Sequence, residues 1–193
     1  MNLRPRVSWI VLLVAASCAA TVPPPSSSRM VPAKLAGDTA VRISVYVEDV
    51  KLASIAQTRE TPFEARSGRF PLTEPDGLVQ LRDAIRKTLA AAGAALEPQP
   101  GVARFVLTPI ILGGMTIPFP EAYAILFVRY ELSRADGRQA LWANNVYSQA
   151  RFDTRDVAGA QSGDAEATYG RLAAANLRQM ATSLSNWLAT TTK

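Results

Sequence analysis

The sequence predicts one α+β domain, a mainly antiparallel or mixed sheet with two helices packed on one face, in the approximate order β-α-β-β-β-α. Three observations carry that prediction. Apolar residues alternate at period two over residues 41–47. Two longer apolar segments flank Asp136-Gly137, as in a hairpin. Residues 78–92 and 169–188 instead repeat apolar positions at helical spacing. Elements interleaved in this way place the helical stripes against a sheet.

The first strand is Val41 to Val47. Val41, Ile43, Val45 and Val47 point one way, and Arg42, Ser44 and Tyr46 the other, which gives a strand with one buried face. Residues 49–70 lack a regular period. Thr58 to Pro62 reads as a loop and Ser67-Gly68-Arg69 as a turn, with room for a short strand or helical turn. Thr73 is expected to cap the next helix, with Asp76 as the replying carboxylate and Pro75 tolerated in the first turn. Leu78, Leu81, Ile85, Leu89 and Ala92 form its stripe, and Gly93 is its stop.

Arg104 to Leu112 reads as a strand. Pro109 has no ladder donor, so this strand is expected at an edge or bulged there. Gly113 to Pro120 is expected to be a loop with Met115, Ile117 and Phe119 as its apolar members, or a turn or bulge joining two strands. Ala122 to Leu132 and Ala140 to Phe152 form the hairpin, reversed at Ala135 to Arg138, with Trp142, Val146 and Ala150 on one face. After a polar loop at 155–163, a long helix follows Asp164. Its stripe is Tyr169, Leu172, Ala173, Asn176, Leu177, Met180, Leu184, Trp187 and Leu188. Asn176 is polar within an apolar stripe. It either bonds neighbouring backbone at the helix–sheet seam or marks a contact face.

Ahead of the domain lies a different kind of segment. Arg4 and Arg6 precede an apolar run from Val7 to Ser17 that ends at Cys18, the only cysteine. A positive start and a short apolar run make an export signal, too short for a permanent span of roughly 20 residues. Ala15-Ala16-Ser17-Cys18 resembles the lipobox of bacterial lipoproteins, although leucine is commoner than Ala15 at the first position. That resemblance implies a signal peptide at 1–17, acylation of Cys18 and a lipid anchor in the membrane. The alternatives are an ordinary secretory signal cut near Ala20, or a short anchor helix. Ala19, where lipoproteins held at the inner membrane often carry aspartate, resembles an outer-membrane address facing the periplasm. Residues 18–37, with Pro23-Pro24-Pro25-Ser26-Ser27-Ser28, are expected to be a lipidated spacer, and 38–190 the single domain.

Composition narrows the chemistry. The net charge of the chain is +5, and part of it belongs to Arg4 and Arg6. No basic cluster is dense enough to follow a phosphate backbone, so nucleic acid is not an expected partner. Histidine is absent, which removes the commonest general base near neutral pH and the commonest metal ligand. No serine sits in a G-x-S-x-G elbow, and Gly113-Gly114 lacks the spacing of a nucleotide-binding loop. Glu121 and Glu131, ten residues apart on one strand, would stand roughly 33 Å apart and cannot act as a pair. No catalytic residue, metal site or cofactor is therefore expected.

The whole chain resembles the small proteobacterial envelope lipoproteins, among them the YajG-like lipoproteins and the lipoprotein auxiliary components of ABC-type intermembrane transport systems. The likeness lies in the Ala15–Cys18 end, the Pro/Ser spacer, strand Val41–Val47, the hairpin with Asp136-Gly137 and Trp142, and the helix that contains Asn176. It implies a non-enzymatic, periplasm-facing binding or scaffolding component of an envelope or transport assembly, with an envelope protein as partner. The second reading is a module that binds a lipid or another apolar small molecule. An enzyme of unrecognised class is the least supported. Met115, Ile117, Phe119 and Asn176 are the candidate contacts with partner or ligand.

Overall fold

The computed structural model describes residues 35, 39–53, 70–117, 123–137, 139–151 and 162–191, excepting the side chains of 117 and 162–166. The elements are β1 (Ser44–Val47), β2 (Lys51–Leu52), a 3-10 turn (Pro71–Thr73), α1 (Pro75–Ala91), β3 (Ala95–Leu96), β4 (Phe105–Ile117), β5 (Tyr123–Arg134), β6 (Ala140–Arg151) and α2 (Ser162–Thr191). The strands form one mixed sheet in the order β3-β1-β4-β5-β6, with β2 also paired to β4. β1 runs parallel to β3 and β4, β2 runs parallel to β4, and β4, β5 and β6 are antiparallel neighbours. Both helices pack on one face, as expected. The longer elements keep the order β-α-β-β-β-α, and β2 and β3 are two-residue additions to it. The leader, the spacer apart from Leu35, residues 54–69 and the loop before α2 lie outside the described residues, and so do the expected boundaries at 17/18 and 37/38.

The core fills the space between sheet and helices. Val45 and Val47 of β1, Leu107 and Ile111 of β4, and Leu126, Val128 and Leu132 of β5 face it from the sheet. Leu81, Ile85 and Leu89 of α1 and Leu172, Leu177, Met180 and Leu184 of α2 face it from the other side. These are the stripes anticipated from spacing. Removing a large side chain from such a layer costs about 2–5 kcal/mol, because the cavity left behind closes only in part.

α1 ends where Gly93 turns to a φ of 93°, a conformation that costs glycine little. Its start differs from expectation. Glu74 is the N-cap and makes no side-chain capping bond, while Pro75 occupies the first turn. Thr73 instead donates its hydroxyl back to the Phe70 carbonyl at 2.8 Å, because Pro71 to Thr73 already form a 3-10 turn. Gly77 packs against that turn. A Cβ there would run into the Pro71 carbonyl oxygen and would lie 2.9 Å from the Leu72 Cα.

β4 departs from the sequence reading twice. It is a central strand rather than an edge, despite Pro109. Leu107 and Ile111 turn their carbonyls toward β1 and β2, where they accept from the Glu48 amide (3.0 Å) and the Ala53 amide (2.9 Å). Backbone groups alternate sides along a strand. Pro109 therefore aims its nitrogen at the break between β1 and β2, where the chain is leaving the ladder and asks for no donor. Second, the strand continues through Gly113 and Gly114 to Ile117, so the expected loop is strand over its first five residues. The register against β5 shifts between Ile111 and Gly113, which leaves Leu112 as the extra residue of a bulge. Gly114 then passes under Phe70, whose ring carbons would lie 2.5–3.1 Å from a Cβ. Phe70 in turn meets Tyr169 of α2 edge-on, with ring centroids 5.3 Å apart.

Candidate functional site

The four candidate contact residues do not form one site. Asn176 lies on the helix side of the sheet, fully buried. Its Oδ1 accepts from the Tyr130 hydroxyl at 2.7 Å, and its Nδ2 donates to the Val146 carbonyl at 3.1 Å and the Ser148 hydroxyl at 3.2 Å. Of its two expected roles it takes the first, bonding at the helix–sheet seam. It leaves no polar atom at the surface for a partner. Tyr130 is equally buried, and burial pushes its hydroxyl well above the ordinary phenol pKa. Burial thus favours the neutral phenol, the form that donates to Asn176.

Met115 belongs to the opposite face. Cross-strand partners share a face, and Met115 pairs with Ile125 while Ile117 pairs with Tyr123. Met115 is half-buried. The side chain of Ile117 and all of Phe119 lie outside the described residues, as does Cys18.

This second face has its own apolar layer. Val106 and Ile110 of β4 and Ile125 of β5 are only 9 %, 7 % and 7 % exposed, yet none belongs to the core cluster between sheet and helices. Tyr46, Met115 and Phe127 stand half-buried on the same face. A row of paired charges crosses it. Glu48 accepts from Lys51 at 2.6 Å and from the Thr108 hydroxyl at 2.9 Å. Thr108 pairs across strands with Glu131, which meets Arg129 at 2.7 Å. Burial works to raise the Glu48 pKa, but the bonds from Lys51 and Thr108 and the lysine charge outweigh it, and the carboxyl sits below its usual value.

Each charge in the row has an opposite within reach, so the row is electrically balanced. It offers an apolar floor divided by ion pairs. That chemistry suits recognition of a surface or an apolar group. The sequence could not show this row, because Glu48, Thr108 and Glu131 meet only through the pairing of β1, β4 and β5.

A second depression, a groove of about 400 Å³ along α2, is lined by Arg178, Gln179, Thr182, Ser183 and Asn186. These residues lie outside the apolar stripe, and the surface that they turn to the groove is mostly that of their carbon atoms. Among the described residues no helix is long and apolar enough to cross a membrane, and no group of three or more His, Cys, Asp or Glu is gathered as a metal site.

No family model and no curated protein matches the chain. Solved structures do. Protein XCC0632 from Xanthomonas campestris, of the family DUF330, aligns over 81 % of this chain and 90 % of its own at 12 % identity, with a TM-score of 0.54. The hypothetical protein CT253 from Chlamydia trachomatis aligns over 78 % of this chain and 99 % of its own at 11 % identity, with a TM-score of 0.52. These two share its fold. A Caulobacter crescentus chain described as a lipoprotein aligns over 72 % of this chain and 90 % of its own at 18 % identity, with a TM-score of 0.46.

Proposed function

We propose that this chain is a lipid-anchored, periplasm-facing binding or scaffolding component of an envelope assembly, tethered to the outer membrane through Cys18. The observation that carries the binding role is the apolar layer on the sheet face away from the helices. Tyr46, Met115 and Phe127 keep apolar surface there, outside the core, beside balanced ion pairs. The leader, the lone cysteine and the Pro/Ser spacer support the tether. Several acyl chains hold a protein far better than one, at about 0.8 kcal/mol for each buried CH₂.

The test is cross-linking in intact envelopes, with a photoreactive residue at position 115 of the full-length chain. A scaffold gives one defined protein adduct, which alanine at Ile117 and Phe119 weakens. An apolar-ligand module instead returns with a defined lipid once its own anchor is removed. The ligand reading draws on the same face, and recovery of neither adduct nor lipid removes the support for both. The tether is tested separately, since retained membrane association of the Cys18→Ala chain sinks the anchor.

A further inference from the structure

The topology builds one end of the domain from segments far apart in sequence. The Val41 amide donates to the Ala92 carbonyl just past α1 at 2.8 Å, and the Ala40 amide to the Ser185 hydroxyl near the end of α2 at 3.1 Å. β4 runs parallel to β1 and so starts at this same end, where the Arg104 amide donates to the Ser44 hydroxyl at 3.3 Å. Phe105 pairs with Arg134, and the Ala135 amide donates to the Arg104 carbonyl at 3.2 Å, which brings in the turn between β5 and β6. The chain that leads from Cys18 also enters here, through Leu35, packed on the core, and Ala40.

Positive charge gathers at this end. Among the described residues of 39–43, 86–104, 133–141 and 185–191, five cations, Arg42, Arg86, Lys87, Arg104 and Arg134, stand against two carboxylates, Glu97 and Asp136. Elsewhere the described side chains balance, six cations to six carboxylates. Arg86 and Lys87 lie within about two turns of the end of α1. Arg86 is half-buried and the other four cations are exposed. The ion pairs Lys51–Glu48, Arg82–Asp49 and Arg129–Glu131 all lie elsewhere, and none of the five cations has an ion-pair partner. Glu97 accepts from the Ser44 hydroxyl at 3.0 Å, and the Arg104 guanidinium lies over the Phe105 ring, 5.4 Å from its centroid. Two of the large apolar side chains left exposed, Val102 at 64 % and Leu141 at 42 %, belong to the same end.

We infer that this end of the domain docks on an anionic lipid surface through Arg42, Arg86, Lys87, Arg104 and Arg134, with Val102 entering the headgroup layer. Unpaired cations beside exposed apolar groups match such a surface, which takes the charges at its phosphates and the apolar groups just beneath. A nucleic acid or an acidic protein would use the charges and leave Val102 without a place. The tether reading decides only which membrane is met, since the tether delivers this end to it. Docked in this way, the domain holds Met115, at the other end of β4, away from the membrane.

The test uses residues 18–193 with Cys18→Ala, so that no acyl chain holds the protein. Binding is read by sedimentation with phosphatidylethanolamine vesicles that contain phosphatidylglycerol or lack it. The anionic vesicles should bind about tenfold or more tightly, since each cation near such a surface contributes about fivefold. The difference should vanish at about 0.5 M salt, where charges are screened within a few ångströms. Arg42→Glu with Arg104→Glu should lower binding about tenfold or more. Arg171→Glu with Arg178→Glu, the same change of net charge on α2, should lower it less than about threefold. Circular dichroism checks the fold of each variant, and Lys87→Glu with Arg134→Glu is the second pair if the first disturbs it. Equal binding to both vesicles, binding to neither, or equal losses from the reversals at the two places overturns the inference. Salt releases this contact but not an acyl anchor. Association of the full-length Cys18→Ala chain that survives a wash at about 0.5 M salt therefore counts against the anchor alone, and the vesicle result counts for or against this surface alone.

Discussion

Replacing Asn176 with leucine separates hydrogen bonding from volume at the helix–sheet seam. Tyr130, Asn176, Ser148 and Val146 are all at most 2 % exposed. In Asn176→Leu, Ser148 keeps its 3.4 Å bond to the Leu126 carbonyl, and Val146 keeps its inward pairing with Val128. The Tyr130 hydroxyl alone is stranded, fully buried and without its 2.7 Å bond. A buried polar group left in that state costs about 1–3 kcal/mol. Tyr130→Phe leaves the Asn176 amide oxygen without its donor, at a cost of similar order. The double variant Tyr130→Phe/Asn176→Leu has neither orphan, so it should be less destabilised than the two singles added together. The coupling should exceed about 1 kcal/mol. Urea unfolding of a chain starting at residue 18 with Cys18→Ala reads this directly. With a slope of about 1–3 kcal/mol per molar, a loss of about 2 kcal/mol moves the midpoint by roughly 1 M. Strict additivity, with a coupling under about 0.5 kcal/mol, would refute the bonded seam.

Three further expectations use the same assay. Gly77→Ala should destabilise, even though alanine gains about 1 kcal/mol in a helix interior, because the added methyl meets the Pro71 and Leu72 backbone. A higher midpoint would mean that the 3-10 turn gives way freely. Gly114→Ala should force the Phe70 ring aside and lose its edge-on contact with Tyr169. The loss should be about 1–3 kcal/mol, the usual range for overpacking, and Phe70→Leu should relieve it. Glu48 has a lowered pKa in the folded protein, so its bonds stabilise above the unfolded value near 4.5 and fade as pH falls through the folded value. Thr108→Val should therefore lose more stability at pH 7 than at pH 3. Lys51 is more than half exposed, so solvent screens its share of the effect. A gap that does not change with pH removes Glu48 as its cause.

What could be read from sequence was what has a period. The stripes of α1 and α2, the alternation along β1 and the shared face of Trp142, Val146 and Ala150 on β6 hold because each element is long enough to repeat, and Gly93 ends α1 as its backbone freedom allows. β2 and β3 escaped because two residues have no period and are strands only through β4 and β1. Pro109 misled because an edge was judged from one missing donor, whereas the break between β1 and β2 lies far off in sequence. Thr73 misled because a hydroxyl that can cap a helix can equally close the turn before it. Asn176 was visible as a polar residue in an apolar stripe, but its partners Tyr130, Val146 and Ser148 come from two strands that only the fold brings beneath it.

The bulge at Leu112 makes β4 a strand written in two phases. Before it, odd-numbered residues look toward the helices; after it, Gly114 and Thr116 do, since they pair with Leu126 and Ala124. Were Leu112 taken into the regular alternation instead of being set aside in a bulge, Met115 would rotate into the core and Gly114 would surrender its place beneath Phe70. A single extra backbone unit thus decides which half of the strand the outside world can touch. It also locks the long β4–β5 hairpin against sliding, because any slip would have to carry the phase change with it.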